Sequence, residues 1–246
     1  MGKEALIFGG KRLGHHWSGL ERRVRTPMTK PAFELPLFPL NVVLFPHLLL
    51  PLYIFEERYK LMMNRCLEDS VPFGVALIKV GKEVGGPAVP HTVGTLARIV
   101  HVNREERGRM YITALGELRI KLLDWWRSEP YLMGQAMIWE DPMGEEARVA
   151  ILDNEARPLL RNYLSLQMRL ANRPPPPQGL DLPPDSATLS YLIATVLETG
   201  SMEKQGLLEI PDVERRLKEE VPLLKQENQR LQQRLDERPK GEQTWV

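Results

Sequence analysis

The chain has 246 residues, with 33 Lys and Arg against 32 Asp and Glu and a hydrophobic fraction of 43%. That length allows one large domain or two small ones, and a near-zero net charge argues against a dedicated nucleic-acid-coating protein. The single cysteine, Cys66, excludes an intrachain disulfide and a cysteine-based metal cluster, and no uninterrupted apolar run reaches the roughly 18 residues of a membrane span. The composition reads as soluble and cytoplasmic.

The charge is unevenly placed. Residues 1–30 carry seven basic and two acidic side chains, so the remainder stands at −4. This segment lacks helical or strand periodicity and is expected to be a disordered basic tail, with Met28 as a second candidate start. A basic arm for nucleic acid or acidic membranes is the competing reading.

From Phe33 to Pro142 the pattern is mainly that of strands. Glu34–Leu44 is apolar, but Pro36 and Pro39 restrict it to an edge or irregular strand. A helix of about three turns follows, with Glu56 and Glu57 at its start and Tyr59, Met62, Met63 and Cys66 on one stripe. Five strands are then predicted: Phe73–Lys79, Thr92–Val102, Arg109–Leu115, Glu117–Trp126 and Tyr131–Glu140. Gly81–Pro90, Asn103–Gly108, Gly116 and Arg127–Pro130 read as connections. Along Glu117–Trp126, Leu118, Ile120 and Leu122 alternate with Glu117, Arg119 and Lys121. Such one-sided strands imply a mostly antiparallel sheet closing into a barrel or sandwich.

After Pro142 the pattern turns helical. Glu145–Ala171 is one candidate, which Pro158 should break or kink. Arg173–Pro184 is proline-rich and reads as an extended connector. Asp185 or Ser186 caps a helix ending before Gly200, Ser201–Glu209 is a short one, and Pro211 suits the first turn of the last. That last helix spaces Leu217, Leu224 and Leu231 by seven, interleaved with Val221, Asn228 and Leu235. The stripe is either a coiled-coil dimer seam or a face packed on its own domain, and Pro222 interrupts it. Residues 238–246 read as a flexible end.

Three enzyme signatures fail. Gly81-Lys82 lacks the hydroxyl and first glycine of a phosphate-binding loop, and none of the seven serines stands in a nucleophile elbow. His91 and His101 could meet across a hairpin, but two ligands do not hold a zinc ion. Cys66 lies on the apolar stripe and reads as core. No catalytic residue, metal or cofactor is expected.

The stretch ELPLFPLNVVLFPHLLLPLYIFEERY, ending at Tyr59, resembles the opening of the N-terminal domain of Lon proteases. The resemblance runs on through Phe73-Gly74-Val75, Val93–Ile99 and Gly116–Arg119, then Glu203–Glu209 and Asp212–Leu217. In this family an ATPase and a Ser–Lys peptidase module follow, and the chain ends at Val246 before either. The resemblance thus implies a stand-alone substrate-binding domain without peptidase activity. It also implies an α+β fold: a PUA-like, mostly antiparallel β-barrel with one inserted helix over residues 31–142, then an α-helical bundle over 143–237. Phe45, Ile54 and Phe55 would supply apolar bulk to the barrel, and the Glu56–Arg58 pair would be structural.

The leading functional expectation is a non-catalytic protein- or peptide-binding module, an adaptor or sensor of unfolded proteins working with a protease or chaperone. Trp125 falls on the polar parity of its strand, and Trp126, Tyr131 and Trp139 lie nearby. These four are the candidate peptide-binding residues, or else they form the seam between the two halves. An RNA-binding barrel is one alternative, weakened by the acidic body, and a small-molecule barrel is another.

Overall fold

The computed structural model describes residues 31–85, 88–173 and 181–237. The expectations for the tail (1–30), the C-terminal end (238–246) and most of the proline-rich connector lie outside the described residues.

β1 (Phe33–Leu40) is where the barrel closes. It pairs antiparallel with β7 (Leu132–Ile138) through residues 33–37, and parallel with β3 (Phe73–Gly81) through residues 37–40. This corrects the expectation of an edge strand. The two neighbours take successive halves of β1, so Pro36 and Pro39 each keep one flank without a registered partner, where a missing N–H is tolerated.

The ring continues from β7 to β6 (Met110–Trp126), β5 (Val93–Arg104) and β3, and so back to β1. Two strands absent from the sequence reading hang on it. β2 (Leu49–Ile54) pairs with β6, and β4 (Ala88–Pro90) pairs with β3. β6 is one strand rather than two, because Gly116 is not a turn. A Cβ there would lie 2.4 Å from the Phe45 carbonyl oxygen, so the glycine admits the chain that crosses on its way to β2.

The two faces of β1 feed separate clusters. Leu35 and Leu37 pack with Ile120, Leu122 and Ala136. Phe38 and Leu40 pack with Phe73 and with α1 (Glu57–Glu68), whose Tyr59, Met62, Met63 and Cys66 are buried as its stripe predicts. Burial also pushes the Cys66 thiol up to about 11, so it is not a thiolate nucleophile near neutral pH.

The helical half comprises α2 (Glu146–Leu170), α3 (Ser186–Val196), α4 (Ser201–Leu208) and α5 (Val213–Asp236). Neither Pro158 nor Pro222 ends its helix. In α2, Val149 and Ala156 before the proline and Leu160, Tyr163 and Leu166 after it enter one core, whose packing outweighs the lost hydrogen bond. Asp185 caps α3 by accepting the Thr188 N–H at 2.8 Å, as expected. Pro211 lies ahead of the α5 cap, Asp212, rather than within the first turn.

Contacts Arg148–Glu214, Glu155–Lys225 and Asn162–Asn228 run in the same order, so α2 and α5 are parallel neighbours. The leucine stripe is occupied there. Leu217, Leu224 and Leu231 are fully buried in the core that α5 shares with α2, and Asn228 is satisfied by Asn162 and the Leu159 carbonyl. The stripe therefore packs on its own domain.

Candidate binding surface

The four aromatics picked from the sequence occupy different surroundings. Tyr131 is 2% exposed in the α1-side core of the barrel, where its hydroxyl accepts from Arg65 at 3.2 Å. Trp125 is half-buried against the Leu35–Leu37 cluster. Its assigned parity was wrong because the β6–β7 register shifts between Leu122 and Asp124, which turns Trp125 to the side of Ile120 and Leu122. Trp126, also half-buried, registers with Met133. Trp139 alone joins the cluster that seals the barrel to the helices, with Phe45, Val93, Tyr191, Leu207 and Leu208.

Arg119, placed by its sequence alternation on the solvent face, is fully buried at the same seam, while Leu118 is exposed. The register shift between Leu96 and Ala97 accompanies this change of face. The Arg119 guanidinium lies 4.4 Å from the Trp139 ring centre and donates to the carbonyls of Glu140, Leu208, Ile210 and Pro211. It also pairs with Asp141 at 2.9 Å. Asp141 in turn receives two bonds from Arg216, whose guanidinium sits 4.1 Å over the Tyr191 ring and donates to Ser190. Burial lowers the Arg119 pKa; burial pulls Arg216 the same way, but Asp141, Tyr191 and Glu220 together outweigh it and leave that pKa raised. The guanidinium nitrogens bind Asp141, Ser190 and four backbone carbonyls and hold the two halves together, except the buried Arg119 Nε, which has no hydrogen-bond partner among the described residues.

The exposed aromatic surface lies elsewhere. On β2 the alternation is plain: Leu50, Leu52 and Ile54 face the core, and Leu49, Pro51 and Tyr53 face solvent. On β6, Met110, Ile112 and Ala114 are buried and Tyr111 is exposed. The register sets Tyr53 opposite Tyr111 and Leu49 opposite Leu115. The two tyrosine rings stack at 4.5 Å between centres, and Phe55 lies 6.0 Å from Tyr53. Exposures are 38% for Tyr53, 48% for Phe55, 50% for Tyr111 and 63% for Leu49. Phe55 thus adds no bulk to the barrel, whereas Phe45 and Ile54 are buried as expected.

The Tyr53 hydroxyl donates to Glu105 at 3.3 Å. Its pKa is raised, first by partial burial and then by Glu105 against the pull of Arg109, so it is a neutral donor. Next to Phe55, Glu56 pairs with Arg58 at 3.0 Å and also accepts the Gly85 N–H. Arg58 donates to the Glu83 carbonyl and the Glu83 carboxylate accepts the Asn41 N–H. The Glu56–Arg58 pair is therefore a latch that holds the loop after β3 against the end of β2.

Sequence reasoning missed Tyr53, Phe55 and Tyr111 because the strand carrying the first was not recognised. The signal was present in LLPLYI and MYITAL, where an aromatic residue stands on the parity opposite to the buried aliphatics. His91 and His101 do not meet: His91 is 3.6 Å from Glu209 at the helical side, and His101 is exposed on β5. Among the described residues no three His, Cys, Asp or Glu side chains converge as metal ligands, and no helix is long and apolar enough to cross a membrane.

Comparison with known proteins bears on the family and the fold. Lon protease 2 of Herpetosiphon aurantiacus is 30% identical over 199 residues, covering 79% of this chain and 24% of that protein. Lon protease of Escherichia coli K12 is 26% identical over 215 residues, covering 84% of this chain and 26% of that protein. The chain thus spans about a quarter of the length of these relatives. Among solved structures, a Lon N-terminal domain protein from Xanthomonas campestris is similar at TM-score 0.53 and 24% identity, covering 76% of this chain and 96% of that one. The N-terminal domain of Mycobacterium avium complex Lon protease is similar at TM-score 0.59 and 18% identity, covering 78% and 98%. Both share the α+β, PUA-like fold. The family description "ATP-dependent protease La (LON) substrate-binding domain" matches residues 34–226, and the chain belongs to that family.

Proposed function

We propose that this protein is a non-catalytic module that binds unfolded or client polypeptides through the outer face of β2 and β6. It would serve protein quality control as an adaptor or sensor, handing clients to a protease or chaperone. The observation that supports this reading is the exposed cluster of Tyr53, Phe55 and Tyr111, with Leu49 exposed further along the same face of β2, on a scaffold whose other large aromatics are mostly packed or half-buried. Aromatic anchors on a rigid sheet are what a binding surface needs, because they offer area at low entropic cost. The buried, unpaired Cys66 fits a reducing compartment, and we place the activity in the cytoplasm.

The test is titration of a permanently unfolded, carboxymethylated protein into the wild type and into a Tyr53→Ala/Tyr111→Ala variant. Loss of binding with unchanged thermal stability supports the surface, and equal binding by both proteins removes it. Crosslinking and capture from cytoplasm then separates the two roles: one enriched partner indicates an adaptor, a broad set of misfolded chains a sensor. Recovery of RNA alone would sink the proposal.

A further inference from the structure

Glu220 lies on α5 one turn beyond Arg216, at the i, i+4 spacing at which helix side chains meet. It is completely buried, and among the described residues neither oxygen of its carboxyl has a hydrogen-bond partner. Arg216 directs its guanidinium elsewhere. Nη1 and Nη2 donate to Asp141, in the segment after β7, at 3.1 and 2.7 Å, and Nε donates to Ser190 of α3 at 2.7 Å. One guanidinium therefore has two carboxyl groups in its electrostatic range. The first joins α5 to the barrel side of the seam, and the second belongs to α5 itself.

The surroundings of Glu220 hold a proton on it. Burial penalises its charged form first; Arg216 and Ser190 oppose the rise, and Asp141 adds to it. Tyr191 of α3, beneath the Arg216 guanidinium, is likewise raised by burial and stays neutral. Arg119 of β6 enters the network through Asp141, at 2.9 Å. The network so holds two buried guanidinium cations against Asp141, and an ionised Glu220 would bring a second anion. That anion would be stranded in a dry interior unless a donor turned to it, and Arg216 is the cation one turn away.

We infer that Arg216 is the moving part of a proton-controlled latch in the seam. With Glu220 protonated, the guanidinium holds Asp141 and ties α5 to the barrel; with Glu220 ionised, it turns to its own helix and the tie slackens. The exchange trades a bond between the halves for one within α5. Two backbone bonds beside the latch report its state. The Val213 N–H donates to the Pro142 carbonyl at 3.0 Å, and the Glu214 N–H donates to the Met143 carbonyl at 3.1 Å. Both acceptors directly follow Asp141 in the chain. The latch needs no client and stands apart from the β2–β6 surface.

The test is amide exchange of the 15N-labelled full chain from about pH 5 to 9, with the Glu220 carboxyl followed by 13C NMR. Protection factors remove the intrinsic pH dependence of exchange. Above the Glu220 ionisation, those of Val213 and Glu214 should fall by up to about tenfold per pH unit relative to amides of the β5–β6 ladder, since each opening releases one proton. In Glu220→Gln both should stay level with that ladder. The His91–Glu209 pair at the α4 side of the seam is common to both proteins, so the difference belongs to Glu220. Titration of Glu220 with unchanged protection would mean that the carboxylate gains its donor without releasing Asp141, and it overturns the latch. An equal fall in Glu220→Gln, an equal fall across the β5–β6 ladder, or a Glu220 that does not titrate over this range overturns it too.

Discussion

The seam between barrel and helices and the outer face of β2 and β6 both gather aromatic rings, but only at the seam are those rings covered by buried arginines. At the seam, Trp139 lies beneath Arg119 and Tyr191 beneath Arg216, and both guanidinium groups are held by Asp141. On the outer face, Tyr53 and Tyr111 have each other, with about half of the Tyr111 surface still in water. An aromatic cluster with internal cationic and acidic partners stabilises a fold. One stacked only on itself at an open edge is free to meet another molecule.

The largest way to break this contrast is to empty the seam. Arg119→Met removes the donor shared by four carbonyls and Asp141, and leaves Asp141 and Arg216 partly desolvated without it. Breaking one partner of a buried ionic network costs roughly 3–5 kcal/mol, so a loss of that size is expected in urea denaturation. A loss below about 1 kcal/mol would put Arg119 among ordinary surface arginines.

Trp125→Ala is the next step down. Its ring is half-buried against Leu35 and Leu37, and truncation should cost about 1–3 kcal/mol with client affinity unchanged. The opposite outcome, weaker binding at constant melting temperature, would restore Trp125 as a contact residue and move the binding surface toward the end of β6.

A third change sharpens the seam by its pH dependence. Burial holds the Glu220 carboxyl well above its ordinary range, against the opposing influence of Arg216 and Ser190 and with Asp141 adding to the rise. The folded state therefore retains a proton that the unfolded chain releases. Its stabilising effect is full below the ordinary carboxyl range and is lost as pH rises toward the raised folded value. Glu220→Gln keeps the shape without the ionisation. Urea midpoints measured from acid to mildly alkaline pH should fall less steeply for the variant, with its largest relative gain at the alkaline end. Parallel profiles would mean that Glu220 stays ionised beside Arg216.

Much of the fold was readable because single segments declare themselves. The α1 stripe Tyr59–Cys66, the Asp185 cap and the apolar strand runs at β3 and β5 are local signals, and each element formed where expected. The misreadings arose where a distant partner decides. Pro36 looked like an edge residue until two neighbours shared β1 in series. Gly116 looked like a turn, although what it serves is the approach of Phe45, far away in sequence. Arg119 looked solvent-facing, although its five acceptors come from the segment after β7, from the end of α4 and from the α4–α5 link. The candidate surface suffered likewise, since β2 and β6 meet only through long-range pairing.

The smallest expected change in stability is the most informative about function. Tyr111→Ala removes a ring that stacks on Tyr53 and is half open to water. An exposed cross-strand aromatic pair contributes about 0.2–1 kcal/mol, so the melting curve should barely move. If the ring is a central contact for a client, truncation should weaken binding by about 2 kcal/mol, or roughly 30-fold, as for an interface anchor. Phenylalanine in its place keeps the stacking surface and should retain most of the affinity. The pairing of a large binding effect with a small stability effect is what the seam cannot produce, because no residue there is removed without loosening the barrel from the helices. Equal affinity of wild type and Tyr111→Ala would make the stacked pair an ordinary stabiliser of β2 on β6 and erase the distinction between the two clusters.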